Sequence, residues 1–291
     1  MTPDARTPQL RWKPWVLAIA GGWVLWSVLA AMNPMYSAER MLWPTERVAS
    51  RIIRDPASTP TTVADRAIAK LEEVVATYPD TRVAAKAKLL IAEVRSARKE
   101  HAAARKEFEE VIAGSNTTAT QFVDAYKGIA RSYLREGNWQ KATEMFRELL
   151  AKRPADVRVQ DVPLQMIVLA RQHSADAGEA AIQEAIAHYQ RVLETVQKGE
   201  VVFAARQRLT TCYTIAGRWE EAAQMFEQLI MGYPQRPELW LWLRGLVEAG
   251  SRLNQPDLVQ IVAQRYAERY PARRRVVERW LKTRSSAKKT Q

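Results

Sequence analysis

Two stretches of this chain repeat each other, and that self-similarity constrains the fold more than any other feature. Counted back from Pro154, Leu149, Phe146 and Ala142 share one face of a helical segment. Tyr126, Ile129, Ala130 and Tyr133 line an earlier segment, with Gly137-Asn138-Trp139 between the two. Counted back from Pro234, the same frame finds Leu229, Phe226 and Ala222, then Tyr213 and Leu209, with Gly217-Arg218-Trp219 at the turn. Fainter copies end at Pro79, with Val74, Leu71 and Ala67 in register, and at Pro271, with Tyr266, Ala263 and Val259. Three of the four ends also rhyme as Tyr78-Pro79, Tyr233-Pro234 and Tyr270-Pro271.

The physical content of the pattern is a pair of packed helices. A small alanine on the second helix lets the first approach closely, and an aromatic four residues later fills the gap on the same face. The glycine allows a tight reversal, and the proline ends the second helix because it has no N–H to continue the ladder. Each pair leaves apolar surface that only the next pair can cover, so the repeats must stack. Two further units are degenerate. One runs over about 83–116 with Ile91, Ala92, Ala104, Phe108 and Val111, and one over about 162–198 with Ala185, Tyr189 and Val192.

With Tyr…Ala…Phe…Pro at these positions, the chain resembles the tetratricopeptide repeat family, whose unit is about 34 residues long. The resemblance is strong in 122–154 and 202–234 and weaker over the rest of 60–271. It implies an all-α solenoid of about five helix pairs that binds other proteins. The Tyr78-Pro79-Asp80-Thr81 run before an alanine-rich segment also resembles repeats of bacterial envelope proteins of the outer-membrane assembly lipoprotein and Tol–Pal coordinator type, although this chain has no lipobox cysteine. The carboxylate clamp of chaperone-binding members is disfavoured, because Lys127 is in place but Arg131 stands where the asparagine belongs.

Charge narrows the partners. The chain carries a net +12, and that excess sits at its ends. Residues 1–54 hold seven Lys/Arg against three Asp/Glu, residues 272–291 eight against one, and residues 55–271 hold 29 against 28. A near-neutral body argues against a basic groove for nucleic acid. The lone cysteine, Cys212, excludes an intrachain disulfide framework and reads as a packed thiol on a helix.

Near the N-terminus, Trp15 to Met32 runs eighteen residues without a charge, roughly 27 Å of helix at about 1.5 Å per residue. Arg11 and Lys13 precede it, Trp12 and Trp15 mark one boundary, and Asn33-Pro34 closes it before Tyr36. Two readings compete: a single transmembrane helix, or a signal peptide cleaved after Val28-Leu29-Ala30. The length of the run and its tryptophans favour the helix. Basic residues lie on both sides, and the pair abutting the run favours a cytoplasmic N-terminus. Ala18 and Gly22 have the spacing of a helix-pairing motif, although an anchor facing lipid alone fits as well. The expected organisation is a basic stub at 1–13, a transmembrane helix at 14–32 and a juxtamembrane segment at 33–60 with a helix over Thr45–Arg54. A repeat array at 61–271 follows, then a capping helix at 272–283 and a basic disordered tail at 284–291.

No catalytic constellation emerges. His101, His173 and His188 share no ligand spacing, no glycine-rich phosphate loop or nucleophile elbow appears, and acidic residues alternate with basic ones as on a salt-bridged solvent face. The expectation is therefore a non-enzyme with no cofactor and no bound metal. Two patches are candidates for partner contact. Leu239-Trp240-Leu241-Trp242-Leu243 places two indoles where both cannot face one core, so one of Trp240 or Trp242 is expected to point outward unless both are covered. The basic end, Arg273, Arg274, Arg275, Lys288 and Lys289, suits anionic lipid, an acidic partner or nucleic acid, or is simply solvated. The resulting expectation is an interaction scaffold or assembly factor of the bacterial inner membrane, with its repeats in the periplasm. The alternative is a structural accessory subunit of a large membrane complex.

Overall fold

Asn33 caps the helix that follows it: its side-chain Oδ1 accepts from the Met35 N–H at 2.9 Å, with Pro34 at the first helical position. The structure is a computed structural model, which describes residues 19, 21–23 and 33–288. Among these it has thirteen α-helices: α1 (Pro34–Arg54), α2 (Thr61–Thr77), α3 (Arg82–Ala97), α4 (His101–Ala113), α5 (Ala119–Arg135), α6 (Trp139–Lys152), α7 (Val162–His173), α8 (Ala175–Thr195), α9 (Glu200–Ile215), α10 (Trp219–Gly232), α11 (Leu239–Arg252), α12 (Leu258–Arg269) and α13 (Arg274–Lys288). The chain divides into two compact units, Met1–Ala142 and Thr143–Gln291.

In the first unit, α1 contributes Ala38, Leu42, Ala49 and Ile52, which share one helix face at spacings of three, four or seven, to one core with Leu71 and Val74 of α2 and Ile91 and Val94 of α3. This corrects two expectations. The helix begins at Pro34 rather than Thr45, and the segment at 33–60 supplies the first member of a further helix pair, making six pairs where about five were expected. Pro44 lies inside α1 but is exposed, so the backbone bond it removes is lost on the solvent side of the helix.

In the second unit, Tyr189 of α8 is fully buried, and its hydroxyl donates to Gln160 O at 2.5 Å. The unit ends on a core where Leu229, Leu243, Leu246, Val262 and Tyr266 meet Val277 of α13. That last helix continues to Lys288, past residue 284 where a disordered tail was expected, consistent with its lack of glycine or proline.

The sequence rhymes correspond to repeated backbone geometry. Tyr78, Tyr233 and Tyr270 cap α2, α10 and α12 with φ of −131°, −133° and −127° and ψ of 52°, 57° and 68°. Each donates its N–H to the carbonyl four residues back, Val74, Leu229 or Tyr266. At the turns, Gly137 and Gly217 have φ of 78° and 71°. Asn138 N–H donates to Tyr133 O and Arg218 N–H to Tyr213 O, both at 2.9 Å. This is the six-to-one bond of a glycine-type helix ending. Lys99 (φ 66°) and Asn254 (φ 56°) hold the same position at two turns without glycine, where Glu100 N–H reaches Arg95 O at 2.9 Å and Gln255 N–H reaches Gly250 O at 2.8 Å.

Among the described residues no helix is long and apolar enough to cross a membrane. The expected span at 14–32 lies outside the described residues apart from residues 19 and 21–23.

Candidate partner-binding grooves

Each unit contains a groove built on the same contact, an aromatic ring lying across a helical glycine. In the first unit the Phe108 ring of α4 covers Gly128 of α5, where an added Cβ would meet ring atoms at 2.4–2.8 Å. In the second the Phe226 ring of α10 covers Gly245 of α11, where a Cβ would fall 2.1–2.7 Å from the ring. The glycine lets the ring lie against helical backbone, and the two neighbouring first helices form the walls on either side.

The first groove, a cavity of about 260 Å³, is lined by Glu93, Ser96 and Ala97 of α3 and by Arg131 and Arg135 of α5. Burial pushes the Glu93 carboxyl above its ordinary range, and Asp124 adds to that effect; Arg131, 3.7 Å away, and Arg135 oppose it. Arg135 Nη1 donates to Ser96 Oγ at 2.6 Å. The lining is thus charged but internally paired, so a ligand must compete with existing bonds.

The second groove, about 320 Å³, is lined by Gln207, Arg208, Thr210, Thr211 and Thr214 of α9 and by Leu241, Arg244 and Glu248 of α11. Thr210 donates to Arg206 O at 2.7 Å, Thr211 to Gln207 O at 3.1 Å and Thr214 to Thr210 O at 2.9 Å. Each hydroxyl proton is used within its own helix, which leaves methyl groups and acceptor lone pairs for a partner. Arg208 Nε is buried and has no hydrogen-bond partner among the described residues. An unpaired buried donor is costly.

The two tryptophans separate. Trp242 is 2% exposed and packs edge-on against Phe203 and Tyr233, at centroid distances of 6.0 and 6.5 Å. Trp240 is 43% exposed and its neighbour Leu241 61%; the second groove is lined by Leu241 and Trp242 rather than by Trp240. Of the repeat signature, Tyr126, Ala130, Ala142, Phe146, Leu209, Tyr213 and Ala222 are buried, Tyr133, Phe226 and Pro234 half-buried, and Pro154 exposed. The Arg105 guanidinium lies 4.4 Å over the Tyr133 ring and that of Arg218 4.8 Å over Tyr213.

The basic end is partly engaged within the fold. Arg273 Nη1 donates to Pro234 O at 2.7 Å, and Arg274 pairs with Glu278 at 2.6 Å. Arg275 is exposed, while the side chains of Lys288 and Lys289 lie outside the described set. The structure therefore brings Leu241 and Trp242 to a groove, leaves Trp240 exposed outside its lining, and ties Arg273 to the Pro234 carbonyl. Among the described residues no group of three or more His, Cys, Asp or Glu side chains is placed to hold a metal ion.

Sequence reasoning passed over Gly128, Gly245 and Arg208. A lone glycine inside a helical pattern was the available signal for the first two. Nothing in the sequence marks Arg208.

Paired helices with a small-residue contact, a glycine-type turn and a proline-terminated second helix define a helical-repeat protein. A tetratricopeptide repeat family model matches residues 125–158, one helix pair of the chain. No curated protein sequence matches it. Among solved structures, a tetratricopeptide repeat protein from Parabacteroides merdae aligns over 79% of this chain and 78% of its own at 14% identity and a TM-score of 0.43. BtubC from P. vanneervenii aligns over 77% and 91% at 15% identity and a TM-score of 0.46. Human IFIT1, solved as a dimer with m7Gppp-AAAA, aligns over 81% of this chain and 51% of its own at 19% identity and a TM-score of 0.40. Likenesses at this level transfer no function.

Proposed function

We propose that this chain is a non-enzymatic interaction scaffold of the bacterial inner membrane, anchored by the apolar helix expected at 14–32, with its repeats in the periplasm. Its grooves take an extended or helical segment of a protein partner. The observation that carries this reading is the buried, unpaired Nε of Arg208 in the wall of the second groove, which the exposed Leu241 also lines. A partner segment presenting a backbone or side-chain carbonyl would satisfy Arg208 once its side chain turns toward the groove, and would cover Leu241; peptide backbones offer such acceptors at every residue. The neutral charge balance of 55–271 fits a polypeptide better than nucleic acid.

Two experiments test the reading. In spheroplasts, external protease should remove the repeats and leave a short anchored stub; protection of the repeats would reverse the orientation. In detergent pull-downs, substoichiometric clients support a scaffold, whereas salt-resistant stoichiometric recovery with one complex supports a structural subunit.

A further inference from the structure

The outward face of α1 carries a stripe of arginine and aromatic side chains. Its buried residues, Ala38, Leu42, Thr45, Ala49 and Ile52, occupy one side. On the opposite side Tyr36, Arg40, Trp43, Arg47, Arg51 and Arg54 follow one another at intervals of three or four, and all six are exposed. Trp43 is 63% exposed and Tyr36 50%, and the Arg47 guanidinium lies 5.3 Å over the Trp43 ring. The two carboxylates of α1 turn away toward α3, Glu39 to Arg82 at 3.7 Å and Glu46 to Lys86 at 2.6 Å. Arg40, Arg47, Arg51 and Arg54 are left without an ion-pair partner among the described residues. Elsewhere in the first unit cations cross to acids on neighbouring helices, as Lys88 does to Glu110 and Arg105 to Glu136, both at 2.7 Å.

We infer that this arginine and aromatic stripe of α1 is a docking surface for anionic lipid headgroups, holding the first unit against the bilayer. The inference rests on the membrane-anchor reading, because the uncharged run 15–32 ends directly before the Asn33 cap and delivers α1 to the membrane surface. The composition fits a headgroup layer: guanidinium groups bind phosphate in bidentate fashion, and tryptophan and tyrosine rings rest at the boundary between apolar and wet regions. A stripe of this length runs along roughly 27 Å of helix at about 1.5 Å per residue, enough to meet several headgroups at once. Each arginine is expected to change the ratio of docked to undocked molecules about fivefold, the equivalent of about 1 kcal/mol per charge near an anionic surface.

The test uses the full chain carrying Ser50→Cys, an exposed position on the same face, labelled with a polarity-sensitive fluorophore while the buried Cys212 stays unlabelled. It is reconstituted with vesicles of phosphatidylcholine alone or with phosphatidylglycerol added. The expected result is a blue shift and quenching by spin-labelled lipid only with phosphatidylglycerol. Both should be lost at high salt and on combined Arg40→Gln, Arg47→Gln, Arg51→Gln and Arg54→Gln substitution, with helicity by circular dichroism unchanged. An identical label signal in the two vesicle types overturns the inference, as does a response to single-stranded oligonucleotide in place of lipid. Flotation with pure phosphatidylcholine reports the anchor separately. Flotation without the label response removes the stripe and leaves the anchor, and flotation only with phosphatidylglycerol does the reverse.

Discussion

The ring of Phe226 fills the space that a side chain on Gly245 would occupy, with the built Cβ only 2.1 Å from Phe226 Cζ. Phe108 and Gly128 repeat the relationship in the first unit at 2.4 Å. Alanine is the better helix former by about 1 kcal/mol, yet here Gly245→Ala forces the ring out of its seat, and overpacking costs typically about 1–3 kcal/mol. The expected outcome is a lower denaturation midpoint for Gly245→Ala. Combining it with Phe226→Leu should recover part of the loss through their coupling. Gly232→Ala, with nothing within 4 Å of the added carbon, is the control and should leave the midpoint close to wild type.

The turns yield substitutions of opposite sign. Lys99 and Asn254 hold positive φ that only glycine adopts without strain, so Lys99→Gly should stabilise the protein by about 0.5–1 kcal/mol, with a smaller gain for Asn254→Gly. Gly137→Ala and Gly217→Ala should destabilise by about 1 kcal/mol each. Thermal or urea denaturation of the four variants checks both directions.

These turns mark how far the sequence could be read. Where Gly137 and Gly217 stand, the helix pair was legible, because glycine advertises the backbone it permits. Where Lys99 and Asn254 hold the same conformation, one unit read as degenerate and the other only as a faint copy, although the backbone turn is the same. The α7–α8 connection departs altogether. Ser174 ends one helix and caps the next by accepting from Ala177 N–H at 3.0 Å, so no turn signature exists to find. The grooves were legible only through Trp240 and Trp242. Which indole faces inward is fixed by Phe203 and Tyr233, which lie 39 and nine positions away and meet Trp242 only in the packed fold.

His188 is 9% exposed, and its Nε2 has no hydrogen-bond partner among the described residues. Burial, assisted by Arg191 and opposed by Glu184, lowers its pKa to about 4 from an ordinary 6.5. The folded state therefore favours the neutral ring, and between pH 6.5 and 4 the unfolded chain binds more protons. The stabilisation is fully present above pH 6.5 and is lost as pH falls to about 4, on the order of 3 kcal/mol for the second unit. His188→Leu should flatten the dependence of the melting temperature on pH over that window.

Cys212 is fully buried, and desolvation pushes its thiol pKa up to about 12. Almost no thiolate exists at neutral pH, and the thiolate is the reactive form. Dithionitrobenzoate should titrate no thiol in the native protein and one in denaturant.

The most direct test of the scaffold reading separates groove from core in one recovery experiment. Leu246→Ala removes a fully buried side chain that does not line the groove and should cost about 2–5 kcal/mol, so it measures stability alone. Arg208→Gln combined with Trp240→Ala and Leu241→Ser alters exposed or unpaired groups and should leave the melting temperature nearly unchanged. Affinity purification from solubilised membranes followed by mass spectrometry should recover a protein partner with the wild-type chain and lose it with the triple variant. Equal recovery by both, with the variant folded, would contradict the groove as the binding surface.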